Sequence, residues 1–319
     1  MSERSFDPQG ARLPNAVQLE ARYDAARMRA ELAAFAAGSG DAFGAAGGRR
    51  VLPLRSPGGD PRRTDAGGPN LYGFRATPWL RRLPYFGEII DSLPGPVRGA
   101  RLWAAAPGVR APDMRAPKVG PSWGLCRLHL PVAGGPQARS VFVGEHQHWA
   151  PGSLWFAASW RSHVIVNADT TDLVHLIVDL FHTPEVEALF PAALRRALAG
   201  PAALRRRPEV PLCPPDAERL GCRFQLPELF ANWEYPGHLM HRGTSRADIE
   251  ASIGLRAGAP VLFLAGQPFC GLEHVGDGEF RLRGWSDERT VQIAAGPRRE
   301  AVLRMREGTN TYVVRRPLS

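Results

Sequence analysis

Residues 100–180 are written as short apolar runs (100–105, 124–132, 140–145, 153–157, 163–167 and 171–180) separated by Gly, Pro, Asp or Asn. Short strands at this spacing, with turn residues between them, predict an antiparallel sandwich or barrel. The flanks read differently. Residues 17–37 predict an amphipathic helix opened by Asn15, with Leu19, Tyr23, Ala26 and Ala30 on one face, and residues 85–93 predict a second helix ending at Pro94-Gly95-Pro96. Between them, the Gly/Arg/Pro-rich stretch 38–70, interrupted by the strand-like Val51-Leu52-Pro53-Leu54, reads as surface loop.

Residues 184–199 predict a helix, and the Pro/Arg-rich segment 201–215 reads as a linker. Beyond it, Ser245 with Asp248 three residues on predicts a helix over 245–254. Residues 261–284 predict two or three strands turned at Ala265-Gly266 and Gly276-Asp277-Gly278. Ser286-Asp287-Glu288 predicts the cap of another helix, and 311–315 a closing strand. The expected organisation is an N-terminal helix and flexible segment over 1–70, a main β domain over 71–200, a linker over 201–225, and a small α+β domain over 226–319. That last domain reads as winged-helix-like, with a packing or homodimerisation role.

At 319 residues the chain can bury a sizeable core. Its formal charge of +9 comes almost wholly from arginine, with Lys118 the single lysine. The basic residues neither cluster on one helical face nor alternate with stacking aromatics, which argues against nucleic acid as a partner. Cys126, Cys213, Cys222 and Cys270 lack metal-type spacing and no secretory leader precedes them, so reduced thiols in the cytoplasm are expected. No apolar run approaches the roughly 18 residues of a membrane span.

The chemistry-bearing phrases are Arg127-Leu128-His129-Leu130-Pro131-Val132, Trp155-Phe156, Ser162-His163-Val164-Ile165-Val166-Asn167 and Leu173-Val174-His175-Leu176. Over residues 84–182 they resemble the core of the aspartyl/asparaginyl/prolyl β-hydroxylase family, whose members bind Fe(II) and 2-oxoglutarate inside a double-stranded β-helix. The resemblance implies a mainly β protein with a jelly-roll, cupin-like core. It also implies His163 as the second iron-ligating imidazole. Arg127 and His129, two apart and so on one strand face, take the place of the pair beside 2-oxoglutarate.

Several positions depart from the family's pattern. No histidine precedes His129, so the first iron-ligating imidazole is missing. Without gaps its position falls on Lys118; aligned from Pro107-Gly108, the His-x-Asp falls on Met114-Arg115-Ala116. A protonated lysine has no lone pair, and thioether and methyl cannot replace imidazole and carboxylate. Leu173 stands where the family's arginine grips the distal carboxylate of 2-oxoglutarate, and Trp155-Phe156-Ala157-Ala158 lacks the usual acidic residue.

Three readings follow. His129, His163 and His175 could form a relocated three-histidine metal centre, with His146 or His148 adding an imidazole. Lys118, desolvated near Arg127, could act as a metal-free base or imine-forming amine beside His163. Or the barrel kept its packing and lost its chemistry, leaving a binding or scaffold domain. The expected function is a hydroxylase-like protein handling an amino acid or peptide side chain through a rebuilt site, with an ordinary Fe(II)/2-oxoglutarate hydroxylase as a further alternative. Arg127, with no carboxylate on its own strand, predicts an interior that binds an anion.

Overall fold

The computed structural model describes residues 13–38, 44–46, 48–116, 118–212, 217, 220–241, 247–294 and 299–319. Cys213 and Ser245 therefore lie outside the described residues. The chain divides into two units at Gly200 and Pro201, with Gly67–Gly73 and Ser122–Gly124 grouping with the second.

In chain order the first unit holds β1 (Ala16–Arg22), α1 (Ala25–Ala37), β2 (Gly44–Ala46), β3 (Arg49–Pro57), β4 (Phe74–Ala76) and α2 (Pro84–Ser92). There follow β5 (Val97–Ala105), β6 (Leu125–Ala133), β7 (Ala138–Phe142), β8 (Glu145–Gln147), β9 (Ser153–Ala157), β10 (His163–Asn167) and β11 (Leu173–Phe181). Two one- to two-turn helices, α3 (Pro184–Glu187) and α4 (Ala192–Leu198), close the unit. The strands build a larger sheet in the order β1-β9-β6-β11-β5-β3-β2 and a smaller one in the order β10-β7-β8. Every pairing is antiparallel. This is the antiparallel β architecture that the short runs predicted, with the jelly-roll core that the resemblance implied.

Register settles what faces what. β11 pairs Ile177 with His129 and Asp179 with Arg127 on one side, and Ile177 with Arg101 and His175 with Trp103 on the other. Side chains alternate along a strand, so Arg101, Trp103, Arg127, His129, His175, Ile177 and Asp179 share one face of the larger sheet. Trp103, Ala105, Leu173 and Ile177 of that face pack with Ala138 and Ile165 of the smaller sheet, which makes it the inner face. The opposite face carries Leu102, Leu128, Leu130, Leu176 and Val178, all buried, with α1 packed on β6. Each such side chain contributes about 1.5–3 kcal/mol by leaving water.

The helices start where polar groups can satisfy them. The Asp24 carboxylate accepts from the N–H groups of Ala26 and Arg27 at 2.9 and 3.0 Å, fixing the start of α1. Glu31 in turn accepts from the N–H groups of Tyr85 and Phe86 at the head of α2. The first half of the predicted 17–37 helix is instead β1, which is captured by pairing with β9. The strand-like Val51–Leu54 within the expected loop extends to a full strand over 49–57, bonded to β5. Residues 49–66 are thus part of the barrel unit. The predicted 184–199 helix is split into α3 and α4 around Pro191.

The second unit departs furthest from expectation. It is an eight-stranded antiparallel meander in strict chain order. Its strands are β12 (Arg223–Pro227), β13 (Asp248–Arg256), β14 (Ala259–Leu264), β15 (Gln267–Gly276), β16 (Glu279–Leu282), β17 (Arg289–Ile293), β18 (Glu300–Glu307) and β19 (Asn310–Pro317). Among the described residues, the single turns α5 (Glu228–Ala231) and α6 (His238–His241) lie between β12 and β13. It is neither α+β in the winged-helix sense nor helical at 248–254, where β13 lies. Nor does Glu288 begin a helix: β17 begins at the next residue. Ala257-Gly258, Ala265-Gly266 and Asp277-Gly278 make the hairpin corners with positive φ at both positions of each pair.

The expected linker is packed onto this sheet. Arg206 reaches Glu273 at 2.7 Å, and Arg207 reaches Asp287 and Glu279 at 2.7 and 2.8 Å. Fully buried Arg289 donates to the carbonyls of Phe230, Asn232, Trp233 and Tyr235 at 2.9–3.0 Å and pairs with Glu288. Among the described residues no helix is long and apolar enough to cross a membrane.

Candidate functional site

The inner face of the first unit opens into a cavity of about 140 Å³. Arg101, Arg127, His129 and Ile177 line it from the larger sheet, His163 and Ile165 from the smaller, and Met114, Arg115 and Ala116 from the loop that leads toward β6. The register described above is the whole reason these side chains meet. No carboxylate is among the lining residues.

Arg127 is buried and held by Asp179, its cross-strand partner on β11. Nε donates to Oδ1 at 2.6 Å and Nη2 to Oδ2 at 2.8 Å, a bidentate fork. The Asp179 carboxylate also lies 3.8 Å from Arg98 and 3.9 Å from Arg101. Despite its complete burial, Arg127, Arg101 and Arg98 hold its pKa well below the usual carboxylate range. Burial, opposed only in part by Asp179, lowers Arg98 to about 9, and burial together with Arg127 lowers Arg101 to about 10.

The imidazoles are neutral. His129 is driven well below the ordinary histidine value by burial, with His175, Arg127 and His163 adding repulsion. Its Nε2 lies 3.4 Å from the Ser159 hydroxyl, and its Nδ1 has no hydrogen-bond partner. Burial also lowers His163. His163 Nδ1 sits 2.9 Å from the Arg161 carbonyl, which can only accept, so this nitrogen carries the proton and Nε2 keeps the lone pair. The ring stacks on Phe142 with centroids 4.9 Å apart. His175, lowered to about 4 by burial alone, lies in an aromatic cluster with Trp103, Trp149 and His129. Trp149 stacks on Trp155 at 5.5 Å and touches Phe142 as well.

These positions correct three expectations. Met114, not Lys118, faces His163: the two exchange backbone hydrogen bonds at 2.8 and 3.1 Å as an isolated bridge. Lys118 is buried, in a left-handed backbone conformation at φ 58°, and is not among the residues that line the cavity. His129, His163 and His175 do not converge on a metal-binding point. Among the described residues no group of three or more His, Cys, Asp or Glu could hold an ion. His146 and His148 are exposed and add nothing. Arg127 has its carboxylate after all, one strand away rather than on its own strand.

The residues do not fit the family's iron and 2-oxoglutarate. Opposite His163 stands a thioether where an imidazole is needed. Leu173, where a guanidinium would grip the distal carboxylate, is buried in the apolar cluster of Trp103, Ala138, Ile165 and Ile177. Leu173 offers a carboxylate no donor of its own, so the guanidinium grip is lost at that position.

Sequence reasoning missed Arg101, Arg98 and Asp179, and also a sealed polar line behind the larger sheet. There Cys126 Sγ lies 3.4 Å from His182 Nδ1, and His182 Nε2 lies 3.1 Å from Glu187. The order resembles a thiol triad, but Cys126 and His182 are fully buried and burial pushes the thiol far up, so it offers no nucleophile. The 2-periodicity of 97–105 could have placed Arg101 on the inner face once strand β5 was drawn; nothing local announces the pairing with Asp179, 78 positions away.

None of the curated proteins matches the chain in sequence. Among solved structures, an oxidoreductase of the 2OG-Fe(II) oxygenase family from Burkholderia pseudomallei is 11% identical, spanning 52% of this chain and 83% of its own, with a TM-score of 0.35. A predicted oxalate decarboxylase from Thermotoga maritima is 18% identical over 41% of this chain and 93% of its own, with a TM-score of 0.23. A cupin 2 conserved barrel domain protein from Salinispora arenicola is 17% identical over 34% and 74%, with a TM-score of 0.21. The family model for aspartyl/asparaginyl β-hydroxylase matches residues 70–183, about a third of the chain. That span, which is similar to the aspartyl/asparaginyl β-hydroxylase family, contains the cavity with Arg127, His129 and His163.

Proposed function

We propose that this hydroxylase-like domain binds an amino acid or peptide side chain in the cavity beside Arg127, His129 and His163, without Fe(II) or 2-oxoglutarate. The observation that carries the reading is the donor set itself. The cavity sets guanidinium and neutral imidazole groups into mainly apolar walls, while the two positions that would hold the metal and the co-substrate carry Met114 and Leu173.

The chain's own groups define what such a site does. Arg127, fixed by Asp179, keeps Nη1 free of hydrogen bonds and so presents two N–H donors. His163 Nε2 accepts a hydrogen bond from a ligand N–H or O–H, its tautomer set by the Arg161 carbonyl. Trp103, Ile165 and Ile177 supply apolar walls. The walls carry no thiol or activated amine, and the Ser159 hydroxyl, 3.4 Å from His129 Nε2, also donates to the Ala157 carbonyl at 3.3 Å, so the arrangement is read as one that recognises and orients a ligand.

The test is a 2-oxoglutarate turnover assay with Fe(II) and ascorbate, alongside metal analysis of the purified protein. The expected result is no succinate above a heat-treated control and far less than one equivalent of iron. Succinate release with stoichiometric iron would restore the ordinary hydroxylase reading.

A further inference from the structure

We infer that the cavity takes a ligand bearing an oxyanion, carboxylate or phosphate, clamped between Arg101 of β5 and Arg127 of β6; this rests on the binding role proposed above. Arg101 carries the argument. Its guanidinium has five N–H donors, lines the cavity with its side chain 14% exposed, and makes no hydrogen bond among the described residues. Its approach to Asp179, at 3.9 Å, is too long for one. A largely buried guanidinium with every donor unused costs free energy unless something else supplies acceptors.

Asp179 cannot be that supplier. Both of its oxygens are taken by Arg127 at hydrogen-bond distance, and Arg98 stands at 3.8 Å as a third claimant on the same charge. Asp65 also acts on Arg98 and Arg101, but it is half-exposed and holds Arg63. The neighbouring imidazoles, His129 and His163, have their charged forms disfavoured and offer no anion either. Arg115 adds a third guanidinium at the wall and no acidic side chain balances it there. Arg98, Arg101 and Arg127 share the one buried carboxylate of Asp179, and the lowering of Arg101 to about 10, caused first by burial and then by Arg127, records a repulsion that an incoming anion would relieve.

The geometry suits one ligand bridging two strands. Arg101 pairs with Ile177 and Arg127 with Asp179, so the two arginines flank β11. Their backbones lie two strand spacings apart and are offset by two residues along the strands, roughly 12 Å in all, a span that an oxyanion above β11 bridges to both long side chains. Each fork can then give two parallel N–H bonds to planar or tetrahedral oxygens.

The test is calorimetric titration of the full chain with N-acetyl-aspartate amide, its neutral isostere N-acetyl-asparagine amide, and inorganic phosphate. The acid is expected to bind at least about tenfold more tightly than the amide, with affinity falling as salt rises. Arg101→Met, which deletes no hydrogen bond of the fold, is expected to remove that difference, and Arg101→Lys to restore part of it. Phosphate binding that is likewise lost in Arg101→Met would support the clamp and assign it to phosphoryl ligands. Equal binding of acid and amide, or binding indifferent to both Arg101 variants, overturns the clamp while leaving a binding site in place. Failure of every probe to bind overturns the clamp and the binding role together.

Discussion

Asp179 anchors the interior at the scale of single residues: its two oxygens fix Arg127, and its charge is what allows Arg98 and Arg101 to be buried beside it. Arg127→Met keeps the volume but leaves that carboxylate without its fork, so a loss of about 3–5 kcal/mol is expected in urea unfolding. A loss below about 1 kcal/mol would mean that Arg98 and Arg101 swing in to replace it. The histidines make stability depend on pH in a defined direction. The unfolded imidazole takes a proton below about pH 6.5, whereas folded His175 does so only near 4. Between those values the unfolded chain binds more protons, so stability rises with pH across this window and falls on acidification. His175 alone accounts for about 3 kcal/mol, and unfolding of His175→Leu compared at pH 7 and pH 4.5 is expected to show a flatter profile than the parent protein. Of these residues, Arg127, His129, His163 and His175 were legible in the sequence because their phrases are local. The carboxylate and Arg101 were not, because what unites them is register across three strands.

The aromatic cluster belongs to the scale of elements, since Trp149, in the loop between β8 and β9, joins both sheets by stacking on Trp155 and touching Phe142, His129 and His175. Trp149→Ala is expected to cost about 3–5 kcal/mol through lost packing and a residual cavity, and to erase much of the near-ultraviolet circular dichroism that a stacked indole pair produces. An unchanged spectrum would place Trp149 outside the core. Strand-scale legibility followed the same physics. β9 and β10 match their apolar runs residue for residue, and β11 differs from its run by a residue or two at each end. The run 248–256 misled because Ile249 and Ile253 are four apart, a spacing that shares a face in a helix and in a strand alike. β1 misled because its strand state is supplied by β9, 137 positions downstream, not by its own alternation.

Across the whole molecule the two units obey different wiring. The larger sheet of the first joins β1 to β9 and sets β11 between β6 and β5, so nearly every pairing spans a long stretch of chain. The second is a meander in which each strand lies beside its immediate successor, with two-residue corners joining β13 to β14, β14 to β15, β15 to β16 and β18 to β19. The wiring has a consequence in time. Closing long loops before any contact repays them slows folding, while neighbour-to-neighbour hairpins form on microsecond scales. In refolding followed by pulsed hydrogen exchange, amides of β13–β18 are expected to gain protection before those of β5, β6 and β11, and the opposite order would refute this. The groups that line the cavity, contributed by the slow sheet, are then the last to come together: a chain caught midway through refolding would own a finished meander and no binding pocket.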